Sequence, residues 1–126
     1  MAVGVLIVDD QASFRRAARN VVELTDGFEL AGEASSGEES IEVARLVRPD
    51  LVLMDVRLPG INGLEACRRI LQQARNRHSP VILLLSAESD VDSALSAECG
   101  AAGYVPKAEF GSERLLTAWS SATAGR

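Results

Sequence analysis

Histidine occurs once in this 126-residue chain, at position 78, and cysteine only twice, at 67 and 99. One imidazole argues against a histidine-based metal site and against a Ser-His-Asp triad. Cys67 and Cys99 fall in helix-like segments without metal-ligand spacing; as buried free thiols they fit a reducing cytoplasm, although spacing alone leaves a disulfide open. Aromatic residues make up only 4%, so the apolar weight rests on Val, Leu, Ile and Ala. No apolar run approaches the roughly 20 residues of a membrane span. The opening MAVGVLIVDDQ has no basic region and no cleavage site and runs into acid, unlike a signal peptide. Basic residues are the minority, 13 against 18 acidic, for a net charge of −5. That balance argues against a nucleic-acid or anionic-membrane surface on this chain. DNA binding, if it belongs to this biology, lies in a partner or in another segment.

What is present is an alternation. VGVLIV (3–8), FELAGEA (28–34), LVLM (51–54), VILLLS (81–86) and GYV (103–105) read as five strands. The first, third and fourth are nearly continuous apolar runs, as central parallel strands covered on both faces are. FELAGEA alternates more and suits an edge. Phe14, Ala17, Ala18, Val21 and Val22 keep helical spacing over 12–25, where Asp26-Gly27 breaks it. Ser36 with Glu39 signals a capping box opening a helix that Pro49 stops by about Val47. Asn62 with Glu65 signals a second, opening a helix with Leu64, Cys67, Ile70 and Leu71 inward. Ser89 with Asp92 opens a fourth, with Ala94 and Leu95, ending at Gly100. A fifth carries Leu115, Leu116 and Trp119 as core and fades into SSATAGR. The pattern predicts an α/β fold, a doubly wound (βα)5 three-layer sandwich around a parallel five-stranded sheet. One domain spans residues 1–122, with 123–126 a tail or linker stub.

In such sheets a site lies outside the carboxyl ends of the strands. Strand 1 ends in Asp9-Asp10, strand 3 in Asp55, strand 4 in Ser86, and strand 5 shortly before Lys107. Alone, each has a bland reading: helix cap, turn hydroxyl, solvated lysine. Together they place three carboxylates, a hydroxyl and an amine on one edge. Two like charges about 5 Å apart repel by roughly 3 kcal/mol at an effective dielectric of 20. Such a group holds a proton or recruits a cation, and oxygen-only ligands open to water suit Mg²⁺ (or Mn²⁺). A carboxylate nucleophile, a divalent ion and a cation for the equatorial oxygens are the parts of phosphoryl transfer.

LIVDD, LVLMDVRLPGINGLE, LLLSA and GAAGYVPK, in this order and spacing, resemble the receiver domain of two-component response regulators, and the likeness covers nearly the whole chain. The resemblance implies the flavodoxin-like strand order 2-1-3-4-5. It implies that Asp55 accepts a phosphoryl group from a sensor histidine kinase, as a signalling module and not a turnover enzyme. Asp10 and Asp55 would bind Mg²⁺ directly, Asp9 through water, and Arg57 through its main-chain carbonyl. Ser86 matches the family's Ser/Thr, Lys107 its phosphate-contacting lysine and Tyr104 its switch aromatic. The face of helix 4, strand 5 and helix 5 would change on phosphorylation and bind a partner or a second copy. SALSAECGAAGYVPKAEF looks most like the subfamily with a C-terminal helix-turn-helix, which implies control of transcription in the cytoplasm. One departure stands out. Many receivers have proline after the lysine, joined by a cis bond; here Ala108 follows Lys107, and a cis bond there would cost about 3 kcal/mol.

Three further expectations concern the rim of the site. Arg57 and Glu88 lie where their side chains can pair over it and hinder an attacking water, and Ala87 is small enough to leave an access path. An aspartyl phosphohydrolase is the competing enzyme reading, but Val56-Arg57 puts no general acid two positions beyond Asp55. The other competitor is a receiver-like binding module that works unphosphorylated.

Overall fold

Leu51–Asp55 (β3) is buried along its full length, and so is Val81–Ser86 (β4) beside it. With Val3–Val8 (β1) they form the middle of a parallel sheet, with Phe28–Ala34 (β2) and Gly103–Pro106 (β5) at its edges, in the order β2-β1-β3-β4-β5. This is the expected order. The computed structural model describes residues 2–74, 78–87 and 98–124.

Successive residues of a strand point to opposite faces, and the core divides accordingly. Leu6, Val8, Val52, Met54, Ile82 and Leu84 pack on one side with helices Gly37–Val47 (α2) and Gly63–Ala74 (α3). Val5, Ile7, Leu51, Leu53, Leu83 and Leu85 pack on the other with Ala12–Leu24 (α1) and the C-terminal helix Ser112–Thr123. The three layers follow from uninterrupted apolar strands: each feeds both faces, so both must be covered.

Both expected helix starts are present, with a difference. Ser36 Oγ accepts the Glu39 N–H at 3.0 Å, but the Glu39 carboxylate reaches back to Ser35 N–H at 2.6 Å, one residue beyond the cap. Asn62 Oδ1 accepts the Glu65 N–H at 2.9 Å, whereas the Glu65 carboxylate turns outward to Arg69 at 2.8 Å and does not close a box. Ser36→Ala is expected to lower stability by about 1 kcal/mol in denaturant unfolding, the usual worth of such a cap.

The C-terminal helix runs to Thr123, whose Oγ1 donates to the Trp119 carbonyl at 2.7 Å. Leu116, expected inside with Leu115, is 45% exposed, because Leu115 already occupies the core-facing position. The helix expected from Ser89, with Asp92, Ala94 and Leu95, lies outside the described residues; its stop, Gly100, has φ +91°. Cys67 and Cys99 are buried free thiols, Cys67 donating to the Cys99 carbonyl at 3.4 Å. Burial pushes the Cys67 thiol far above its ordinary range, and the neighbouring Cys99 adds to this.

Candidate functional site

The strand ends do converge. Asp9, directly after β1, is fully buried, Asp55 closes β3 at 4% exposure, and Asp10 lies open to solvent. One oxygen from each of the three carboxylates fits within 4.8 Å of the others. Lys107, at the end of β5, brings Nζ to 2.5 Å from Asp9 Oδ2 and 3.4 Å from Asp55 Oδ2. Ser86 is buried at the end of β4, opposite Pro106 in the ladder. Tyr104 is half-buried against the α2–α3 side of the core.

Asp9 Oδ1 accepts the Gln11 N–H at 2.8 Å, a local turn bond that ends on the N-cap residue of α1 and is not itself a helix cap. Asp9 Oδ2 is buried without a hydrogen bond, the Lys107 contact being an ion pair outside hydrogen-bond geometry. The Lys107 ammonium is the charge that offsets the cost of burying this oxygen. Asp55 Oδ1 accepts the Arg57 N–H at 3.2 Å. Burial holds the Asp55 carboxyl above the ordinary carboxylate range and the Asp9 charge adds to it, while Lys107 and the Arg57 N–H pull the other way.

Several supporting residues escaped the sequence reading. Arg15, on the first turns of α1, donates to the Asp9 carbonyl at 2.7 Å and lies 3.5 Å from Glu33 of β2, tying the acid pair to the edge strand. Glu38, in the first turn of α2, accepts the Ile61 N–H at 3.3 Å and lies against Gly60, whose φ of +75° suits the second corner of a Pro-Gly turn. Gly63 packs directly on the Asp55 carbonyl. Only Arg15 left a usable signal, a basic residue one to two helical turns beyond two acids. The other contacts join residues distant in sequence or depend on backbone proximity.

Lys107 opens a short 3₁₀ turn, Lys107–Glu109, and no peptide bond among the described residues is cis. The Lys107–Ala108 bond is therefore trans. Arg57 is exposed beside the site and Ala87 is exposed at its rim; Glu88, the expected partner of Arg57, lies outside the described residues.

The sequence pattern of the response regulator receiver domain matches residues 5–120. The chain belongs to the response regulator receiver family. Response regulator GacA of Pseudomonas viridiflava is 40% identical over 105 residues, which is 83% of this chain and 48% of that protein. The protein-glutamate methylesterase/protein-glutamine glutaminase of Idiomarina loihiensis is 34% identical over 109 residues, covering 85% of this chain and 28% of that enzyme. A two-component response regulator of the LuxR family from Aurantimonas superimposes with a TM-score of 0.84 at 32% identity, covering all of this chain and 88% of that one. The receiver domain thus spans about half or less of the length of the curated relatives it matches. These relatives are mostly signalling regulators, one kind of which carries an esterase name. No helix among the described residues is long and apolar enough to cross a membrane.

Proposed function

We propose that Asp55 is the phosphoacceptor of this receiver domain. The observation that carries the reading is Lys107 Nζ set 2.5 and 3.4 Å from two of three clustered carboxylates. An Asp55 carboxylate oxygen attacks phosphorus; the bond to the donor breaks, and imidazole or acetate leaves with the electron pair. Lys107 would meet the charge of the phosphoryl oxygens, and Ser86, one residue beyond the ladder partner of Asp55, would bond one of them.

The donor set fits Mg²⁺ (or Mn²⁺): hard oxygens, one solvent-open carboxylate, and a buried Asp9 oxygen without a hydrogen bond. Asp10 and Asp55 would hold the ion directly, Asp9 through water and Arg57 by its carbonyl. Bound there, the ion supplies positive charge to the attacking and phosphoryl oxygens.

Phosphorylation replaces one charge by nearly two at the end of a central strand. Ser86 and Tyr104 relay it, by moving toward the phosphate and turning inward, to the face around β5 and its flanking helices. That face meets a partner or a second copy of the chain. A sensor histidine kinase is the donor, the setting is the cytoplasm, and the output of the whole protein is transcription, a reading supported by the likeness to a LuxR-family regulator. The domain itself makes no nucleic-acid contact, as its net charge of −5 suggests. Residues 1–122 act as the receiver unit and 123–126 as a linker stub.

The test is incubation with acetyl phosphate and Mg²⁺, followed by intact mass. One added phosphoryl group, lost when EDTA removes the metal, is the expected result. No gain would sink the assignment, and repeated turnover of a phosphomonoester would favour a hydrolase instead.

A further inference from the structure

Lys107 must hold its ammonium in the site without a proline beside it: Ala108 is exposed and brings no ring constraint. Two aromatic residues stand where that constraint is needed. The Phe110 N–H closes the Lys107–Glu109 turn on the Lys107 carbonyl at 3.2 Å. Its ring lies 6.2 Å from that of Phe14 on α1, tilted by 47°. The face of Phe14 in turn lies under the ammonium, 4.6 Å from ring centroid to Nζ. The lysine side chain is only 14% exposed.

We propose that Phe14 is a positioning residue for Lys107, its ring face holding the ammonium in the site while the anionic partners of Lys107 change; this rests on the reading of Asp55 as phosphoacceptor. The two carboxylates grip Nζ from one side, and one of them is consumed when Asp55 becomes an acyl phosphate. The ion pair with Asp9, at 2.5 Å, holds the ammonium at one short distance and must loosen for it to follow the phosphoryl oxygens. The attraction to a ring face is broad, so the ammonium can slide over Phe14 without leaving it. Phe110 packs against that ring and, through the turn it closes, sets where the lysine stem begins. The aromatic pair thus positions the lysine from the α1 side.

The experiment compares Phe14→Leu, Phe14→Met and Phe14→Tyr in the intact chain. Asp55 phosphorylation by acetyl phosphate is timed by mass, Mg²⁺ affinity is measured by calorimetry, and the Lys107 Hε resonances are read by NMR. Leu and Met are expected to slow phosphorylation about threefold to tenfold, the range set by a partly desolvated cation–ring contact, with Mg²⁺ affinity unchanged. They should also abolish the upfield ring-current shift of Lys107 Hε. Tyr, which keeps the face, should restore both. A Phe14→Leu chain that reacts at the unmodified rate overturns the inference alone, as does a Tyr variant as slow as Leu. A wild-type chain that gains no phosphoryl group overturns the reading of Asp55 and the inference with it, even with the ring-current shift present.

Discussion

Asp55→Asn is expected to abolish phosphoryl gain completely and, in the same chain, to raise the melting temperature at neutral pH in EDTA. The first effect follows from removing the proposed nucleophile. The second follows from the site's electrostatics. Burial and the Asp9 charge hold the Asp55 carboxyl above its ordinary value in the folded chain. A group whose folded pKa is raised binds its proton more tightly when folded than when unfolded. Stability is therefore fullest below the unfolded value, about 4, and falls as pH rises through the folded value. At neutral pH the ionised carboxylate is a cost that the neutral amide does not carry. The gap in melting temperature between variant and wild type should close as the pH approaches 4. If Asp55→Asn melted lower than wild type at pH 7, the pairing with Lys107 would outweigh the burial and the Asp9 repulsion.

Gly63→Ala should be among the most damaging single substitutions outside the apolar core. A Cβ at position 63 would stand 2.1 Å from the Asp55 carbonyl oxygen and 2.9 Å from the Val56 Cα. These are backbone atoms, so no rotamer relieves the clash; either α3 retreats or the loop after Asp55 shifts. The Gly63 N–H also donates to the Val56 carbonyl at 2.9 Å, a bond that retreat would break. Overpacking of this kind costs about 3 kcal/mol, a drop of roughly 10 °C for a chain this size. Phosphorylation should slow as well, because the moved atoms belong to Asp55 itself. Gly111→Ala is the control: a Cβ there meets nothing within 4 Å, its φ of −170° is ordinary extended backbone, and the change should cost no more than about 1 kcal/mol, the worth of a better N-cap residue. Equal melting temperatures for the two variants would refute the close-approach account.

The strands were legible because three of them are apolar on both faces, a pattern few other architectures share. The convergence of Asp9, Asp10, Asp55 and Lys107 was legible because parallel topology puts every carboxyl end on one edge. Legibility stopped where a contact depends on backbone proximity or on residues far apart in sequence. Gly63 looks like any glycine after Asn62, and Glu38 looks like the second residue of a capped helix. Phe14 looks in the sequence like one apolar position of α1, yet its face meets Lys107, 93 positions away. Leu116 failed for a related reason: where the apolar stripe of a helix ends, between Leu115 and Leu116, depends on what packs against it, which the sequence does not say.

The division of the interior by the sheet has a consequence for how substitutions combine. Met54, Ile70 and Leu84 share one compartment, and Val22, Leu53 and Leu115 the other. Volume lost at Ile70 can be recovered by a larger neighbour in its own compartment but not by one across the strands. Energies of paired core substitutions should therefore interact within a compartment and add across it. The two faces of this domain can then be repacked, in evolution or in the laboratory, as largely separate problems.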